Sequence, residues 1–257
     1  MQKKVAFILI DGMRADALLA LKHPVIDMLK ENSSYTFQGK SVFPSITLPC
    51  HFSIFHSTVP TRHGILTNTY TPQVRPIDSL FDRLSSAEKK CGMFYTWEEL
   101  RDLSRPGSLS ASAYLAIKSY PDADRNITDI ALPYIEKGEL DAVFLYLGLT
   151  DHIGHKHGWM SDEYMKTLST ALDCVEKVIS ILPEDYTLIL TADHGGHDRS
   201  HGLDIAEDMT IPFFFMGDRF EKGAILVGVS LLDIAPTVTD IIGTFSPREW
   251  EGKSLAK

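Results

Sequence analysis

Aspartate side chains, two of them accompanied by histidine, occur at three places in this sequence that directly follow short apolar runs. These residues are Asp11, Asp151 with His155, and Asp193 with His194. Carboxylate oxygens and imidazole nitrogens are ligands that zinc, manganese and iron accept in proteins. A single aspartate after a strand is commonly a turn or capping residue, but three such places in one chain favour a metal site.

The spacing within the two pairs also suits metal binding. Asp151 and His155 are separated by one helical turn, which places both side chains on one face of a helix. Asp193 and His194 are adjacent at a point where the chain turns, so the two side chains can address neighbouring ions. The pattern therefore predicts two ions rather than one.

A sixth ligand is expected from the histidines that follow Asp193. His201, in the motif Ser-His-Gly, is the first choice and His197 is the alternative. Six protein ligands give three for each ion and leave coordination positions open for a substrate. The cysteines are scattered through the chain, which argues against a thiolate metal site and against a disulfide framework.

A hydroxyl nucleophile is expected in the segment 44–51, which precedes an apolar, helix-like stretch. Thr47 lies where a helix N-cap belongs, and Pro49 suits the first turn. The positive end of a helix favours a phosphoryl group, and metal coordination activates a hydroxyl for attack. A plain capping role for Thr47 is the alternative, and Ser45 is the rival hydroxyl.

The elements that position these residues alternate along the chain. Apolar runs without alternation predict buried parallel strands at 5–10, 142–147, 187–191 and 211–216, with a weaker strand at 92–96. Helical periodicity spans 15–29, 77–84, 127–135, 162–182 and 232–242, with Ser161 and Gly243 as boundary residues. This order predicts an α/β fold, a mostly parallel central sheet flanked by helices on both faces, in one compact domain over 1–257. Ligands in such sheets bind beyond the carboxyl ends of the strands, where the aspartates fall.

The charge balance restricts the partners. With 25 Lys and Arg against 34 Asp and Glu, the net charge of -9 argues against a nucleic-acid polymer or an anionic membrane. Bound metal ions reverse the local charge, so a small anionic substrate remains compatible. The run 5–10 is short for a signal peptide, and no run approaches the roughly 18 apolar residues of a membrane span. We therefore expect a cytoplasmic protein with reduced thiols; the sequence does not indicate an oligomeric state.

Taken in chain order, the motifs resemble one known family. They are Asp11-Gly-Met-Arg14, Phe43-Pro-Ser-Ile-Thr47-Leu-Pro-Cys-His51, Pro60-Thr-Arg-His63-Gly-Ile65, Asp151-x-x-x-His155 and Asp193-His194-Gly195. Together they resemble the alkaline phosphatase superfamily, in its nucleotide pyrophosphatase/phosphodiesterase branch. The resemblance covers nearly the whole chain, from about residue 5 to residue 243.

The resemblance implies two divalent ions, zinc with manganese or iron as alternatives, and assigns ligands to each. One ion would be held by Asp151, His155 and His201. The other would be held by Asp11, Asp193 and His194, with Thr47 as its bound nucleophile. Asn68 would donate to a phosphoryl oxygen. The implied reaction is in-line attack by Thr47, a phospho-threonine intermediate and its hydrolysis.

We therefore expect a hydrolase of small phosphate esters, a phosphodiesterase or nucleotide pyrophosphatase. A phosphomonoesterase or phosphonate hydrolase on the same metals is the nearest alternative, and a catalytically silent metal-binding module is the alternative of another class. The chain has no room for a large cap domain. A sulfatase is disfavoured because the residues after Thr47 lack the Cys/Ser-x-Pro-x-Arg pattern of that family.

Several other side chains are candidates for supporting roles. His51 and His63 are expected to order the nucleophile loop and the turn after it. Arg14 either faces a substrate phosphate or starts the first helix. The stretch 98–124 lacks a clear period and is predicted to be a surface or substrate-facing loop. Trp97, Tyr70 and Tyr114 offer either an aromatic face to a substrate or packing under a loop.

Overall fold

The computed structural model describes residues 3–105 and 107–257. The first two residues of the predicted domain, and Pro106 within the predicted loop, lie outside the described residues. Seven strands form one sheet in the order β2-β7-β6-β1-β5-β3-β4. Their bounds are β1 Lys4–Ile10, β2 Ser34–Lys40, β3 Cys91–Tyr95, β4 Ala111–Tyr114, β5 Ala142–Leu147, β6 Tyr186–Thr191 and β7 Thr210–Met216.

Helices connect these strands along the described parts of the chain. Their bounds are α1 Ala15–Leu21, α2 Pro24–Asn32, α3 Thr47–His56, α4 Pro60–His63, α5 Leu80–Ser86, α6 Ala123–Glu136, α7 Leu149–His157, α8 Asp162–Ile181, α9 Ala206–Met209 and α10 Ile234–Ile242. Short 3₁₀ turns cover Glu98–Leu103 and Leu231–Asp233. In the described part of the chain, no helix combines the length and the apolar character needed to span a membrane.

The central strands are in register at the edge that carries the aspartates. β1 pairs in parallel with β5 and β6, and Ile10 is aligned with Leu147 while Leu9 is aligned with Thr191. These strands are buried over nearly their whole length, as the continuous apolar runs predict. The residues that follow β1, β5 and β6 therefore meet at one edge of the sheet.

The predicted fold class is confirmed, with one correction to the direction of a strand. β7 was expected to be parallel, but it is antiparallel to β6 and to β2, so it runs against the other described strands. After β6 the chain does not cross the sheet. The backbone of Gly195 and Gly196 instead bonds to Asp208 and Glu207 at the same edge, and β7 starts there.

The sequence patterns do not predict the two edge strands, β2 and β4. β2 has an alternating burial pattern but consists largely of polar residues and contains Gly39. β4 is four residues long and only half-buried. Both lie at the ends of the sheet, where a strand has a neighbour on one side and needs little apolar surface.

The predicted helix 15–29 is wrong as a single helix. It divides into α1 and α2, because Lys22 adopts the left-handed conformation and Pro24 begins the second helix. Proline lacks the N–H for an intrahelical bond and disfavours helical geometry in the residue before it. The expected boundaries at Ser161, which accepts a bond from the Tyr164 N–H, and at Gly243 are confirmed.

Candidate metal centre

Two groups of three side chains lie at the carboxyl edge of the sheet with their ligand atoms converging. The inner group consists of Asp11, Asp193 and His194, and the outer group consists of Asp151, His155 and His201. Within each group the possible ligand atoms all lie within 4.8 Å of one another. The structure thus brings together the six residues that the sequence singles out, in the two sets that the family resemblance implies.

The inner group lies at the ends of β1 and β6 and is buried. His194 Nε2 is 3.3 Å from Asp11 Oδ1 and 3.4 Å from Asp193 Oδ2. The other ring nitrogen, Nδ1, donates to the Gly195 carbonyl at 2.8 Å. This bond fixes the tautomer, so Nε2 presents its lone pair to the carboxylates.

The outer group is formed by α7 and the loop after β6. His155 Nε2 and His201 Nε2 lie 3.5 Å and 3.6 Å from Asp151 Oδ1. His155 Nδ1 donates to the Arg199 carbonyl and His201 Nδ1 donates to the Ser45 carbonyl, which aims both Nε2 atoms at Asp151. The spacing of Asp151 and His155 therefore has the expected effect.

His197, the alternative sixth ligand, lies apart from both groups. Its Nδ1 atom is 2.8 Å from Asp208 Oδ1, in a hydrogen bond with a buried carboxylate. Asp208 also accepts the Leu203 N–H, so this pair holds the loop that carries His201. Geometry favours His201 over His197 as the ligand.

The carboxylates have the character of metal ligands. Asp193 Oδ1 accepts the backbone N–H groups of Gly12 and His194, and Asp11 Oδ2 accepts the Tyr146 hydroxyl. The second oxygens of these carboxylates, Asp11 Oδ1 and Asp193 Oδ2, are buried and have no hydrogen-bond partner among the described residues. The same holds for Asp151 Oδ1. Buried, unpartnered oxygens of three neighbouring carboxylates fit divalent cations, because a cation removes both the desolvation cost and the mutual repulsion.

The pKa shifts agree with this fit. Burial raises the pKa of Asp11 well above its usual value, and the nearby Asp193 and Asp151 raise it further. Burial lowers the pKa of His194 to about 4 and that of His201 to about 3. The imidazoles are therefore neutral at neutral pH, which is the form that binds metals.

Thr47 lies beside the inner group. It is the first residue of α3, and Ile46 occupies the N-cap position, so the predicted capping position is wrong by one residue. The Thr47 hydroxyl does not cap the helix, because its Oγ1 atom lies 3.1 Å from His194 Nε2 instead. The rival hydroxyl of Ser45 is buried and donates to the Leu203 carbonyl, away from both groups.

A cavity of about 320 Å³ opens in front of both groups. On its inner side it is lined by Asp11, Thr47, Asn68, Asp151, His155 and His201. On its outer side it is lined by side chains of the predicted loop and its neighbours, including Trp97, Glu98, Glu99, Tyr114 and Lys118. The expectation that the stretch 98–124 faces a substrate site agrees with this lining, whereas Tyr70 packs against Phe52 instead.

Asn68 reaches the cavity from the loop after α4. Its Oδ1 atom accepts the Leu48 N–H at 3.0 Å, at the start of α3. This bond ties Asn68 to the helix that carries Thr47 and leaves the side-chain amino group as a donor.

Further contacts order the site from outside the two groups. The Ser41 hydroxyl donates to the Asp193 carbonyl, and His51 Nδ1 donates to the Thr47 carbonyl at 2.8 Å. His63 Nδ1 accepts the Ile65 N–H and its Nε2 donates to Ser53, which orders the turn after α4. Sequence patterns missed Tyr146, although a hydroxyl near the carboxyl end of an apolar strand is a signal that could have identified it.

The remaining predicted candidate, Arg14, starts the first helix. Its guanidinium pairs with Asp16 and donates to the Gly196 carbonyl, so it braces the turn before α1. It is not part of the cavity lining among the described residues.

Gly12 lies between the two groups and has a φ of +66°. A Cβ atom there would be 3.2 Å from both Cα and Cβ of Asp151. The Gly12 carbonyl accepts bonds from Trp159 Nε1 and from the Tyr164 hydroxyl, both at 2.9 Å. The turn after β1 is thereby fixed against α7 and α8.

Two family models match the chain. The type I phosphodiesterase/nucleotide pyrophosphatase model matches residues 5–98, and the metalloenzyme superfamily model matches residues 109–245. Together they include all the residues of both groups and Thr47.

The curated relatives are longer proteins with several activities. Human GPI ethanolamine phosphate transferase 2, catalytic subunit, is 27% identical over 98% of this chain and 27% of its own length. Rat ectonucleotide pyrophosphatase/phosphodiesterase family member 1 is 28% identical over 72% of this chain and 23% of its own length. A 2,3-bisphosphoglycerate-independent phosphoglycerate mutase of Clostridium novyi is 30% identical over 51% of this chain and 27% of its own length. This chain spans at most 27% of the length of these three relatives.

Solved structures share the fold at low identity. Human ectonucleotide pyrophosphatase/phosphodiesterase 5 has a TM-score of 0.82 at 14% identity and covers 97% of both chains. A phosphonate monoester hydrolase from Silicibacter pomeroyi has a TM-score of 0.74 at 15% identity over 99% of this chain and 76% of its own. A 2-O GAG sulfatase, BT1596, has a TM-score of 0.79 at 14% identity over 99% of this chain and 73% of its own. The chain belongs to the metalloenzyme superfamily, whose model matches more than half of it.

Proposed function

We propose that this protein is a two-metal phosphodiesterase or nucleotide pyrophosphatase that acts through a phospho-threonine intermediate. The observation that carries the proposal is the convergence of both groups on one cavity with the Thr47 hydroxyl 3.1 Å from His194. Three protein ligands for each ion leave room for a substrate oxygen, which suits catalysis rather than a closed structural site.

The chain supplies the nucleophile and orients the phosphoryl group. Asp11, Asp193 and His194 would hold one divalent ion, and Asp151, His155 and His201 would hold the other. When bound, zinc, or manganese or iron in its place, supplies Lewis acidity and neutralises negative charge. Thr47 Oγ1 attacks phosphorus, the bond to the leaving alcohol breaks, and water then cleaves the phospho-threonine. Asn68 donates its amino group to a phosphoryl oxygen and is held for this by Leu48.

The outer side of the cavity favours diesters over monoesters. A monoester dianion carries one more negative charge than a diester, but no arginine lines the cavity among the described residues. Glu98 and Glu99 lie there instead, with Lys118 as the cationic residue of that wall. Trp97 and Tyr114 offer apolar surface to an organic substituent. We propose a small phosphate ester, rather than a nucleic-acid polymer or a membrane, as the partner of this acidic protein in the cytoplasm.

The test is a comparison of ester classes on protein first freed of metal and then loaded with zinc or manganese. We expect kcat/KM for a bis-aryl phosphate to exceed that for a mono-aryl phosphate and an aryl phosphonate by roughly tenfold, or about 1.4 kcal/mol. A preference for the monoester or the phosphonate would replace the proposal with the corresponding alternative. If the protein binds no stoichiometric metal and hydrolyses no ester with any added metal, a catalytically silent module is favoured.

A second candidate function is transfer of the phosphoryl group to an alcohol. The match to the human GPI ethanolamine phosphate transferase 2 subunit extends over 98% of this chain, further than the match to the rat pyrophosphatase. An alcohol in place of water could resolve the proposed phospho-threonine. Product analysis with glycerol present distinguishes the two: a transferase accumulates the new ester, whereas a hydrolase releases the phosphate monoester.

A further inference from the structure

Asp124, which no sequence pattern indicates, is a fully buried carboxylate at the start of α6. It lies outside both groups and is 1% exposed. Asp124 Oδ1 accepts the Gly148 N–H at 3.0 Å, and Oδ2 accepts the Leu149 N–H at 3.1 Å. The Thr96 hydroxyl donates to Oδ1 at 3.4 Å. Asp124 therefore bonds to the backbone at the start of α7 from a distant part of the chain.

The start of α7 depends on these contacts. Its N-cap is Gly148, which has no side chain to accept a bond from the free N–H groups of the first turn. Thr96 Oγ1 accepts the Gly148 N–H at 3.0 Å and supports the same end. A carboxylate at a helix N-terminus also interacts favourably with the helix dipole.

The helix that Asp124 caps carries two members of the outer group. Asp151 lies in the first turn of α7 and His155 lies in the last. A shift of the first turn would move Asp151 relative to His201, which is held separately by the Ser45 carbonyl. The inner group has no residue on α7, so the same shift would leave it in place.

We infer that Asp124 is a positioning residue that holds α7, and with it Asp151 and His155, in the geometry that binds the outer metal ion. The inference rests on the proposed role of the outer group as metal ligands. Burial raises the pKa of Asp124 to about 7, opposed by its bonds to Leu149 and Gly148. An uncharged residue would avoid this cost of burial, so the position requires a reason other than packing.

The test is Asp124→Asn, which keeps the shape of the side chain and removes its charge. The matched control is Asp233→Asn, because Asp233 is also buried and accepts backbone N–H groups, from Ser230 and Lys253, at the start of α10. That helix carries no member of either group. Both variants are titrated with Co²⁺ in calorimetry and followed by visible absorption, which reports the coordination of each bound ion.

We expect Asp124→Asn to weaken one Co²⁺ site by roughly 10- to 100-fold, as for other residues that orient metal ligands, and to leave the second site unchanged. The visible absorption band of Co²⁺ at the weakened site should change. The Gly148 and Leu149 amide hydrogens should also exchange faster with deuterium. Asp233→Asn should leave both affinities and the spectrum as in the wild type. If Asp124→Asn does not fold, Thr96→Val tests the same contact, and we expect it to weaken the same site by a smaller factor.

Wild-type affinity at both sites in Asp124→Asn, or equal weakening in Asp233→Asn, would overturn the inference. The outcome is separable from that of the proposed function. If the wild type binds two ions but hydrolyses no phosphate ester, the proposed function fails while the positioning role stands. If it hydrolyses diesters and Asp124→Asn binds metal normally, the positioning role fails alone.

Discussion

The inner and outer groups offer similar side chains in different surroundings. The side chains of Asp193 and His194 are fully buried, whereas that of His155 is 44% exposed. The inner group extends from two paired strands, whose register fixes Asp11 beside Asp193. The outer group joins a helix to a loop, and each of its two histidines is held by a single bond, to the carbonyl of Arg199 or of Ser45.

Under the proposed function, this difference predicts different properties for the two ion sites. The sheet edge would give a rigid, enclosed site beside the proposed nucleophile Thr47, whereas the helix and the loop would give an open site that could accept a leaving group. We therefore expect the inner ion to bind more tightly and to exchange more slowly than the outer ion.

The largest effect is expected at Thr47. Thr47→Ala should lower kcat by roughly 10³-fold or more, because it removes the atom that is proposed to attack phosphorus. Metal content should stay near that of the wild type, since all six ligands remain. Elemental analysis and steady-state kinetics check both parts, with Ser45→Ala as the control. Unchanged turnover in Thr47→Ala would show that Thr47 is not the nucleophile.

Removal of one carboxylate should cost more Zn²⁺-induced stabilisation in the inner group than in the outer group. Burial, as the largest cause, raises the pKa of Asp193, so the metal-free protein loses stability as the pH rises above the unfolded value of this group. Metal-free Asp193→Asn should therefore be more stable than the metal-free wild type at pH 7, and the gap should close toward pH 4. Added Zn²⁺ should no longer give the stabilisation of about 2.7 kcal/mol expected at 100 times Kd for the inner site.

Asp151→Asn is the matched variant of the outer group. Without metal, its free energy of unfolding should show the same pH dependence, because burial and the nearby Asp193 raise the pKa of Asp151 well above its usual value. Its loss of Zn²⁺-induced stabilisation should be smaller than that of Asp193→Asn, because the outer group is more exposed. Thermal unfolding with and without Zn²⁺ measures both variants. Equal losses of Zn²⁺-induced stabilisation at Asp193 and Asp151 would contradict the division into a rigid and an open site.

A smaller change separates the two histidine candidates. His201→Ala should release mainly the outer ion, which leaves about one ion for each chain, whereas His197→Ala should retain both. Metal analysis after gel filtration gives the ratio directly. Retention of both ions by His201→Ala would remove this residue from the outer group and return His197 as the candidate.

The smallest expected effect concerns the outer wall of the cavity. Trp97→Ala should raise KM for a bis-aryl phosphate by up to about tenfold, because an aromatic contact contributes about 0.5–1.5 kcal/mol. Metal content and the rate on a bis-alkyl phosphate should change little, since Trp97 belongs to neither group. An equal loss on both substrates would show that the ring supports the loop rather than the substrate.

The fold was predictable where one kind of pattern dominates. The strand 142–147 is found as predicted, because a continuous apolar run is typical of a strand buried on both faces. Hydrophobicity does not report strand direction, so β7 was assigned wrongly. Periodicity also continued across Pro24, where backbone sterics rather than hydrophobicity end α1.

The site was predictable to the extent that its residues follow strands directly. Asp11, Asp151 and Asp193 were identifiable because parallel strands end at one edge. Tyr146, whose hydroxyl bonds to Asp11, was not identifiable, because it lies within an apolar strand. Asp124 was not, because it lies 24 residues before Gly148 and its role arises only when α6 packs beside β5.

The turn at Gly12 has a consequence for the distance between the inner and outer groups. Because no side chain projects from this residue, the turn after β1 fits closely against Asp151 of the outer group, and a Cβ atom here would lie 3.2 Å from the Asp151 Cα and Cβ atoms. Alanine at position 12 would strain the left-handed backbone and push Asp151 away by a few tenths of an ångström, while leaving every candidate ligand present. The close approach of the two groups therefore depends on a residue that supplies no ligand.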